Sequence, residues 1–533
     1  MTRYKKAFLN GKIYTVNSNR DWSEAVVISN NKIVFVGSNS KAQKHIDEFT
    51  EVIDLSGKLM LPGFTDCHAH VIMGGQFLLN VDLTKVRSKD EFSKKVRDFA
   101  SSLKSNRWII GGNWNHQNWE VVELPHKEWI NPFTENIPVF LYRMDYHVAL
   151  ANSYVLNLAG IDKNTQNPAS GEIVKDENGE PTGILIDKAM DLVLDNIPEP
   201  SDTEFDEAID AAMNEARRLG VTSIHDISYD NHFKALQKAE REGRLASRLY
   251  TRLLLKNYKT LIANEIQFNF GNDKLKIGSL KDFADGALGS KTAFMSEPYM
   301  DDPNNYGLVM DDLLNGRLEE MIIESDKNRL QCSIHAIGDK AITKLLDIIE
   351  KMTAQNPDWD RRFRIEHAQH ISKKDIKRAA ELGVIVSAQP YHLYDDGCWA
   401  ESVIGKERIK DFNAFRSLLD SGIKLCFGSD WSVATMDPIK GIYAAVTRAT
   451  ADGKHKNGFV PEEKISVKEA VDCYTINAAY AGFQEDKVGS IEVGKTADMV
   501  ILSENIFEIE PKEIKNVKVE MTVFDGEIIF EAH

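Results

Sequence analysis

The feature that most constrains this chain is a repeated alternation of helix and strand patterns through its middle. The segment "EFDEAIDAAMNEARRLG" is typical of an amphipathic helix, and the apolar strand "VTSIHD" follows it. One face of that helix carries the apolar residues Phe205, Ile209, Ala212, Met213, Ala216 and Leu219. Gly220 suits the position just after a helix, where the backbone is commonly left-handed. Units of this kind predict parallel strands covered by helices.

Further units follow towards the C-terminus. The strands "QCSIHAIGD" and "RFRIEHAQ" precede the helices "KAITKLLDIIEKM" and "KKDIKRAAELG", and "VIVSAQP" and "IKLCFGSDW" flank the helix "NAFRSLLDSG". Over roughly 360 residues, this number of units favours a (β/α)8 TIM-like barrel over an open doubly wound sheet. No GxGxxG occurs to indicate a dinucleotide-binding fold, and the GxxxxGK[ST] match at residues 489–496 lies in the β-rich C-terminal segment, outside the helix and strand units. The predicted class is therefore α/β.

The two ends of the chain read differently from the middle, as short strands separated by turns. We predict that residues 1–60 and 487–533 together form one small β-sandwich, with a tight hairpin at Asp525-Gly526. Residues 61–486 would then form the barrel. Residues 80–200 are predicted to be an insertion after the first barrel strand. Four of the eight tryptophans fall in it, either as its core or as part of a lid over a substrate.

Unexpected polar residues fall where the predicted barrel strands end. His335 closes "QCSIH", His367 closes "FRIEH" and Asp430 closes "LCFGSD", while His68 and His70 follow "LMLPGFTDC". The C-terminal strand ends of a (β/α)8 barrel surround a single mouth, where active sites are found. A lone histidine at a strand end is usually a satisfied polar cap. Five such residues at one edge predict a common site instead.

The spacing of His68 and His70 within "LPGFTDCHAH" also suits a metal site. Alternate side chains of a strand point to the same side, so the two imidazoles could converge on one cation. Taken alone, a motif this short equally fits a hairpin edge with two solvated histidines. The other strand ends favour the metal site.

Lys281 is a sixth candidate, within "SLKDFADGALGSKTAF". A bare ammonium ion is costly inside an apolar strand, and burial lowers the pKa of a lysine. The neutral amine can take up carbon dioxide as a carbamate, a carboxylate on a long arm that could bridge two cations. An ion pair between Lys281 and Asp285 is the alternative.

Composition excludes several classes of partner and ligand. The net charge of −16 argues against a nucleic-acid surface, which needs clustered Lys and Arg. No apolar stretch approaches the length of a membrane span, and the N-terminus turns polar before a signal-peptide core develops, so we expect a cytoplasmic protein. The five cysteines are far apart and form no CxxC, so nitrogen and oxygen would hold any metal.

Five motifs in order resemble the successive signatures of the amidohydrolase superfamily: "PGFTDCHAH", "LKDFADGALGSKTA", "SIHAIGDKA", "RIEHAQ" and "FGSDWSV". They are most similar to amidohydrolase family 3, the YtcJ-like branch that includes N-substituted formamide deformylases. The resemblance runs nearly end to end and includes the β-rich termini, with "VGSIEVGKTADMVIL" near the C-terminus.

The resemblance implies a binuclear metal centre, most often with Zn2+. His68 and His70 would bind the more buried ion, His335 and His367 the second, and Lys281, carboxylated at Nζ, would bridge both. Asp430 would bind the first ion and contact the bridging hydroxide, whose proton it would pass to the leaving nitrogen. Some branches use a different bridging residue and hold one metal, so Lys281 is the ligand on which the number of ions depends.

The expected activity is hydrolysis of a non-peptide C–N bond in a small molecule, such as an amide, formamide or cyclic amide. Asp145 and His147 in "RMDYHVALANS", His392 in "QPYHLYDDGCW" and Trp431 are candidate substrate contacts. Three alternatives remain: a mononuclear deaminase of a nucleobase-like substrate, a phosphoesterase, and an inactive barrel that only binds. The inactive barrel should lack a ligand, whereas all six are present, and no basic cluster favours a phosphate. A homodimer is left open.

Overall fold

The computed structural model describes residues 5–103, 107–144, 147–169, 171–229 and 231–532. The chain divides into two units, one made of residues 1–72 with 212–533 and the other of residues 73–211. The boundaries expected from the sequence (1–60 with 487–533, 61–486 and 80–200) stay a prediction. Each unit is described separately below.

Eight parallel strands form the barrel of the first unit, and each pairs with the next one along the chain. These strands lie in the interior; every residue of the second is buried although it carries polar side chains. We number them β1 (Phe64–Ala69), β2 (Val221–Ser228), β3 (Arg248–Leu254), β4 (Leu275–Phe283), β5 (Cys332–Ala336), β6 (Arg364–His367), β7 (Ile385–Ala388) and β8 (Lys424–Phe427). A short strand, Phe270–Gly271, pairs antiparallel with β4.

Backbone hydrogen bonds close the barrel between β1 and the segment that follows β8. The amide of Asp430 donates to the carbonyl of His68 at 2.6 Å, and the amide of His70 donates to the carbonyl of Trp431 at 2.7 Å. The predicted TIM-like barrel is therefore confirmed, and its closure brings the first and last strands side by side.

Helices connect the barrel strands, as the alternating pattern predicts. Within the described residues, none is both long and apolar enough to cross a bilayer. The helices that lie in the first unit are Asn39–Ala42, His232–Arg241, Tyr258–Ala263, Asp311–Leu314, Arg317–Lys327, Asp339–Gln355, Lys373–Glu381, Pro390–Asp396, Ala400–Ile404, Phe415–Asp420, Pro438–Thr447, Val467–Tyr474 and Ile476–Ala481. Helices Val71–Leu78 and Asp202–Arg218 contain the two points where the chain passes between the units. Short 3-10 turns cover Gln43–His45, His116–Asn118, Lys127–Trp129, Asn131–Phe133, Leu255–Asn257, Arg408–Asp411, Pro461–Glu463 and Pro511–Asn516.

Gly220 ends helix Asp202–Arg218 as the sequence predicts, with a left-handed backbone (φ +72°). A Cβ at this position would lie 2.5 Å from Cγ2 of Val500, a buried and χ1-restricted side chain. Gly243 has the same backbone (φ +71°), but a Cβ there would meet nothing within 4 Å. The two glycines therefore separate the cost of the backbone from the cost of the contact.

We expect Gly243→Ala to lower the free energy of unfolding by about 1–2 kcal/mol, the cost of a left-handed non-glycine residue. Gly220→Ala should lose about 1–3 kcal/mol more, because the buried Val500 must move. Urea unfolding followed by circular dichroism measures both variants. Equal losses would show that the helix end does not pack against Val500 as described.

The termini form two sheets within the first unit. The four-stranded sheet has the order Lys32–Gly37, Ala25–Ser29, Lys5–Leu9, Thr50–Asp54, and the six-stranded sheet has the order Glu527–Glu531, Val519–Phe524, Met499–Leu502, Leu59–Pro62, Lys12–Tyr14, Trp22–Ser23. Residues from both sheets share one apolar cluster, including Phe8, Val26, Met60 and Met499. This confirms a small sheet domain built from both termini. Asp525 and Gly526 both have positive φ, as a tight hairpin requires.

The second unit contains a five-stranded sheet. Its order is Gly171–Lys175, Pro181–Asp187, Val148–Ala151, Val139–Arg143, Ile109–Trp114, and its helices are Lys89–Ser102, Ser153–Leu158 and Asp191–Leu194. Trp114 and Trp119 are buried in its core, and Trp129 packs against Phe92 with ring centroids 6.1 Å apart. Trp108 packs against the neighbouring core cluster. The tryptophan-rich run therefore forms core, as one of the two sequence interpretations holds; the lid stays a prediction.

Candidate metal centre

Side chains from distant parts of the chain meet at the C-terminal ends of the barrel strands. His68 lies on β1, His335 on β5 and His367 at the end of β6, while Asp430 follows β8 by three residues. One donor atom from each of His68, His367 and Asp430 lies within 4.8 Å of the other two. We call these three residues the donor cluster. This spacing is small enough for a single cation to be held between them.

His70 and His335 adjoin the donor cluster. His70 Nε2 lies 3.3 Å from Asp430 Oδ1, and His68 Nε2 lies 3.5 Å from the same oxygen. The rings of His335 and His367 are 4.4 Å apart between centroids, in a T-shaped arrangement. The strand-end histidines and the aspartate that the sequence singles out are therefore neighbours in the structure.

Asp66 holds the two ends of this cluster together. Its Oδ1 accepts hydrogen bonds from the amides of His68 and Ser429, both at 3.0 Å, and its Oδ2 accepts one from Ser429 Oγ at 2.5 Å. Burial raises the pKa of Asp66 to about 6, although these hydrogen bonds favour the ionised form. Asp66 thus fixes the backbone of β1 beside the segment that carries Asp430.

The backbone is left-handed at two residues of the donor cluster. His367 has φ 70° and Asp430 has φ 59°, and neither is a glycine. Such conformations cost about 1–3 kcal/mol each and persist only where surrounding contacts impose them. At His367 this conformation ends β6, and at Asp430 it lies three residues after β8; both side chains contribute to the donor cluster.

The imidazoles of His68, His335 and His367 are held neutral. Burial, the largest influence, lowers the pKa of His68 to about 3 and that of His335 to about 4, and it lowers the pKa of His367 well below its usual range. Burial raises the pKa of Asp430, but the hydrogen bond from His70 and the electrostatic effect of the surrounding imidazole groups outweigh burial and hold this pKa well below its ordinary value. Neutral nitrogens beside an ionised carboxylate are the ligands that a divalent zinc-like ion prefers.

Two ring nitrogens here lack a hydrogen-bond partner within the described residues. His70 Nδ1 and His367 Nδ1 are both buried and unpaired. Leaving a polar atom buried and unpaired costs about 1–3 kcal/mol. The donor set of neutral imidazoles and one carboxylate fits a divalent metal ion, although His70 Nδ1 would stay unpaired beside it, because Nε2 is the His70 nitrogen that lies near Asp430.

Lys281 lies on β4 with no exposed surface. Its Nζ sits 3.5 Å from the ring centroid of Phe283 and donates to the carbonyl of Asp282 at 3.1 Å. Burial first, and then the positive charge of Arg252, lower its pKa to about 7. A large fraction of Lys281 is therefore the free amine at neutral pH.

The alternative pairing of Lys281 with Asp285 is not what the structure has. Asp285 accepts hydrogen bonds from three backbone amides, those of Phe294, Ile337 and Gly338, at 2.8 to 3.0 Å. It also lies 3.6 Å from His335 Nε2. Asp285 therefore anchors the loops around the mouth, and Lys281 is left without a carboxylate hydrogen bond among the described residues.

The predicted substrate contacts have different surroundings. His392 Nε2 lies 3.9 Å from Asp430 Oδ2, and its ring stacks on His367 with centroids 6.3 Å apart. Trp431 is buried, and its carbonyl takes part in barrel closure. His147, in the second unit, has an exposed side chain whose Nδ1 pairs with Asp187 Oδ1 at 2.7 Å. Asp145 lies outside the described residues. All four roles stay predictions.

Sequence reasoning missed the charged residues beneath the cluster. Glu366, Arg364 and Arg252 are all fully buried inside the barrel, and Glu366 contacts His68. The available signal was an Arg and a Glu at alternate positions of the strand "RIEH", whose side chains point to the same side as each other. Tyr229 was also missed; its ring is nearly parallel to that of His70, with centroids 5.9 Å apart.

A model of the amidohydrolase family matches residues 51–530 of this chain. Protein LONG AFTER FAR-RED 3 of Arabidopsis thaliana is 38% identical over 519 residues, which cover 95% of this chain and 88% of that protein. YtcJ of Bacillus subtilis strain 168, an amidohydrolase by name, is 35% identical over 535 residues and 99% of both chains. The N-substituted formamide deformylase of Arthrobacter pascens is 26% identical over 540 residues and 98% of both chains.

The fold also matches a solved structure over nearly its whole length. An uncharacterised metal-dependent hydrolase from Pyrococcus horikoshii OT3 superposes with a TM-score of 0.80 at 28% identity, covering 95% of this chain and 99% of that one. The similarity therefore extends over the barrel and the sheets at both termini.

Proposed function

The chain belongs to the amidohydrolase family and is a metal-dependent hydrolase, and on that premise we propose that it hydrolyses a non-peptide C–N bond of a small molecule. An amide, formamide or cyclic amide is the expected substrate. The observation that carries the proposal is the donor cluster, with His68, His367 and Asp430 offering donor atoms within 4.8 Å of one another. Neutral imidazoles and one carboxylate at a barrel mouth suit water activation by a metal ion.

We further propose that two divalent ions, most plausibly Zn2+, are held here. The ligands would be His68, His70, His335, His367, Asp430 and a carboxylated Lys281. Bound in this donor set, a divalent ion supplies a nucleophilic water near neutral pH and polarises the scissile carbonyl. The free-amine character of Lys281 supports its carboxylation, because only the neutral amine can attack carbon dioxide.

Asp430 is the proposed proton carrier. Its carboxylate lies beside His68 and His70 at the barrel mouth, where it can accept a proton from the attacking water. As the new O–C bond forms and the C–N bond breaks, Asp430 would return that proton to the leaving nitrogen. His392, 3.9 Å from Oδ2, lies on the side of Asp430 opposite the shorter His70 and His68 contacts and could orient this oxygen.

The choice of a C–N bond draws support from a relative. The similar protein from Arthrobacter pascens is named an N-substituted formamide deformylase, and it aligns with 98% of this chain. Formamides are small neutral amides. Among the described residues the donor cluster consists of imidazoles and a carboxylate, and the nearby Arg252 and Arg364 are fully buried against Glu366 rather than exposed to select a phosphate.

An assay across bond types tests the proposal. The zinc-loaded protein would be given N-substituted formamides, N-acyl amines, hydantoin-like rings, carbamates, aryl phosphates and aminated nucleobases, with amine, carboxylate, phosphate and ammonia measured. We expect turnover of at least one amide-type substrate, with release of an amine. Release of phosphate from the esters, or of ammonia from the nucleobases, with no amide cleaved would overturn the C–N assignment.

A further inference from the structure

We propose that Glu366 is a positioning residue that holds His68 with its proton on Nδ1 and its Nε2 free for the cation. The inference rests on the proposed function, because a ligand is positioned only if a cation binds. Among the described residues, His68 is the member of the donor cluster that Glu366 hydrogen-bonds, through Nδ1. It lies inside the barrel, directly beneath the donor cluster.

The contact between Glu366 and His68 is short and isolated from water. Glu366 Oε2 lies 2.5 Å from His68 Nδ1, and both side chains are buried. On the opposite edge of the ring, His68 Nε2 lies 3.5 Å from Asp430 Oδ1. The imidazole therefore stands between two carboxylates, with one nitrogen turned to each.

Two guanidinium groups keep Glu366 ionised. Arg364 Nε donates to Oε1 at 2.8 Å and its Nη2 donates to Oε2 at 3.3 Å. Arg252 Nη1 lies 2.9 Å from Oε2, an ion contact without hydrogen-bond alignment. Arg364 donates to both oxygens of Glu366 and Arg252 lies against Oε2, so the carboxylate is placed as an acceptor on every side. His68 Nδ1 is therefore the donor in the 2.5 Å contact with Oε2.

Arg364 fixes the position of this carboxylate relative to the metal-facing strands. Its Nη2 also donates to the carbonyl of Cys67 at 2.8 Å, the residue just before His68. Its Nη1 contacts His225 Nδ1 at 2.7 Å, and Nη2 reaches Ser387 Oγ at 3.2 Å. Arg364 on β6 thus connects to β1, β2 and β7. Glu366 is thereby held against the backbone that carries His68. A carboxylate in such a fixed position can set the orientation and tautomer of an imidazole ligand.

A purely structural role is the competing explanation, since buried ion networks also fill barrel interiors. Asp498 supplies a matched control. It is a buried carboxylate paired with Arg248 at 2.7 Å and 3.1 Å, and within the described part of the chain it pairs with no histidine. Asp498→Asn therefore breaks a comparable ion pair without altering the support of His68.

The test compares Glu366→Gln with Asp498→Asn by Zn2+ competition against a chelating indicator and by the visible spectrum of the Co2+-loaded protein. Glu366→Gln should weaken Zn2+ binding about 10- to 100-fold and change the Co2+ spectrum, because the tautomer of His68 is no longer fixed. Asp498→Asn should lower thermal stability only. Unchanged Zn2+ affinity and spectrum in Glu366→Gln would overturn the inference while leaving the proposed function intact.

A second measurement needs no Glu366 variant. In metal-free wild-type protein labelled with 15N-histidine, the His68 signals, assigned by their loss in His68→Asn, should show a protonated Nδ1 and a bare Nε2. A proton on Nε2 would overturn the inference even if Glu366→Gln failed to fold. Should the wild-type protein take up no metal at all, the proposed function fails instead, so the two failures are distinguishable.

Discussion

Asp430→Asn should abolish nearly all hydrolysis while the protein keeps much of its metal. The amide retains one oxygen near His68 and His70, but it cannot accept the proton of the attacking water. General acid–base catalysis is typically worth about 10²- to 10⁴-fold in rate, and one group serving both steps should lie at the upper end of that range. The variant would be assayed for kcat on the best substrate of the bond-type panel, alongside its metal content.

Asp437→Asn is the matched control for this substitution. Asp437 accepts a hydrogen bond from the amide of Ile439 and caps helix Pro438–Thr447. Asparagine caps helices about as well as aspartate, so this variant should fold and turn over normally. A metal-replete Asp430→Asn protein with wild-type kcat would remove Asp430 from the proton-transfer role.

Lys281→Met should also lower kcat, on the order of 10²-fold or more, because the pocket loses the carboxylate that would share charge between the ions. Added formate or acetate should restore part of the activity by supplying a carboxylate in the space left. Lys276→Met, on the same strand, is the control: Lys276 is also buried, but its Nζ donates to Asn269 Oδ1 at 2.7 Å. Full activity of Lys281→Met would contradict a bridging role.

Carboxylation of Lys281 should become faster as the pH rises. Its folded pKa of about 7 lies below the ordinary lysine value of 10.5, so the reactive free amine increases as pH rises and is nearly complete above pH 8. After acid treatment to remove carbon dioxide, the rate of reactivation with Zn2+ at a fixed concentration of dissolved carbon dioxide should rise about tenfold per pH unit below 7 and then level off. Mass spectrometry of the native protein would follow the added carbon dioxide, and a rate that falls with pH would contradict the assignment.

Local sequence signals predicted the barrel and the meeting of its strand ends well. Helix Asp202–Arg218 and Gly220 follow from apolar periodicity and from the need for a left-handed residue. The proximity of His68, His367 and Asp430 follows from one rule, that parallel strands end at a common edge. These features are set by patterns within a few residues, and a single sequence contains them.

Contacts across the barrel interior could not be predicted in the same way. The bond from Glu366 to His68 joins residues 298 positions apart, and Arg364 reaches three other strands. Which inward side chains meet depends on strand register, which periodicity does not reveal. The position of Asp285 shows the same limit, since its oxygens turn to loop amides that no local pattern links to it.

Metal analysis of the purified protein tests the central claim most directly. Four proteins would each be saturated with Zn2+ and desalted: the wild type, His68→Asn, His367→Asn and the control Asp437→Asn. The zinc bound per chain would then be measured by elemental mass spectrometry. The account predicts two ions per wild-type chain, a clear loss in each histidine variant, and no loss in the control. A wild-type protein that retains no metal, or histidine variants that retain as much as the wild type, would contradict it.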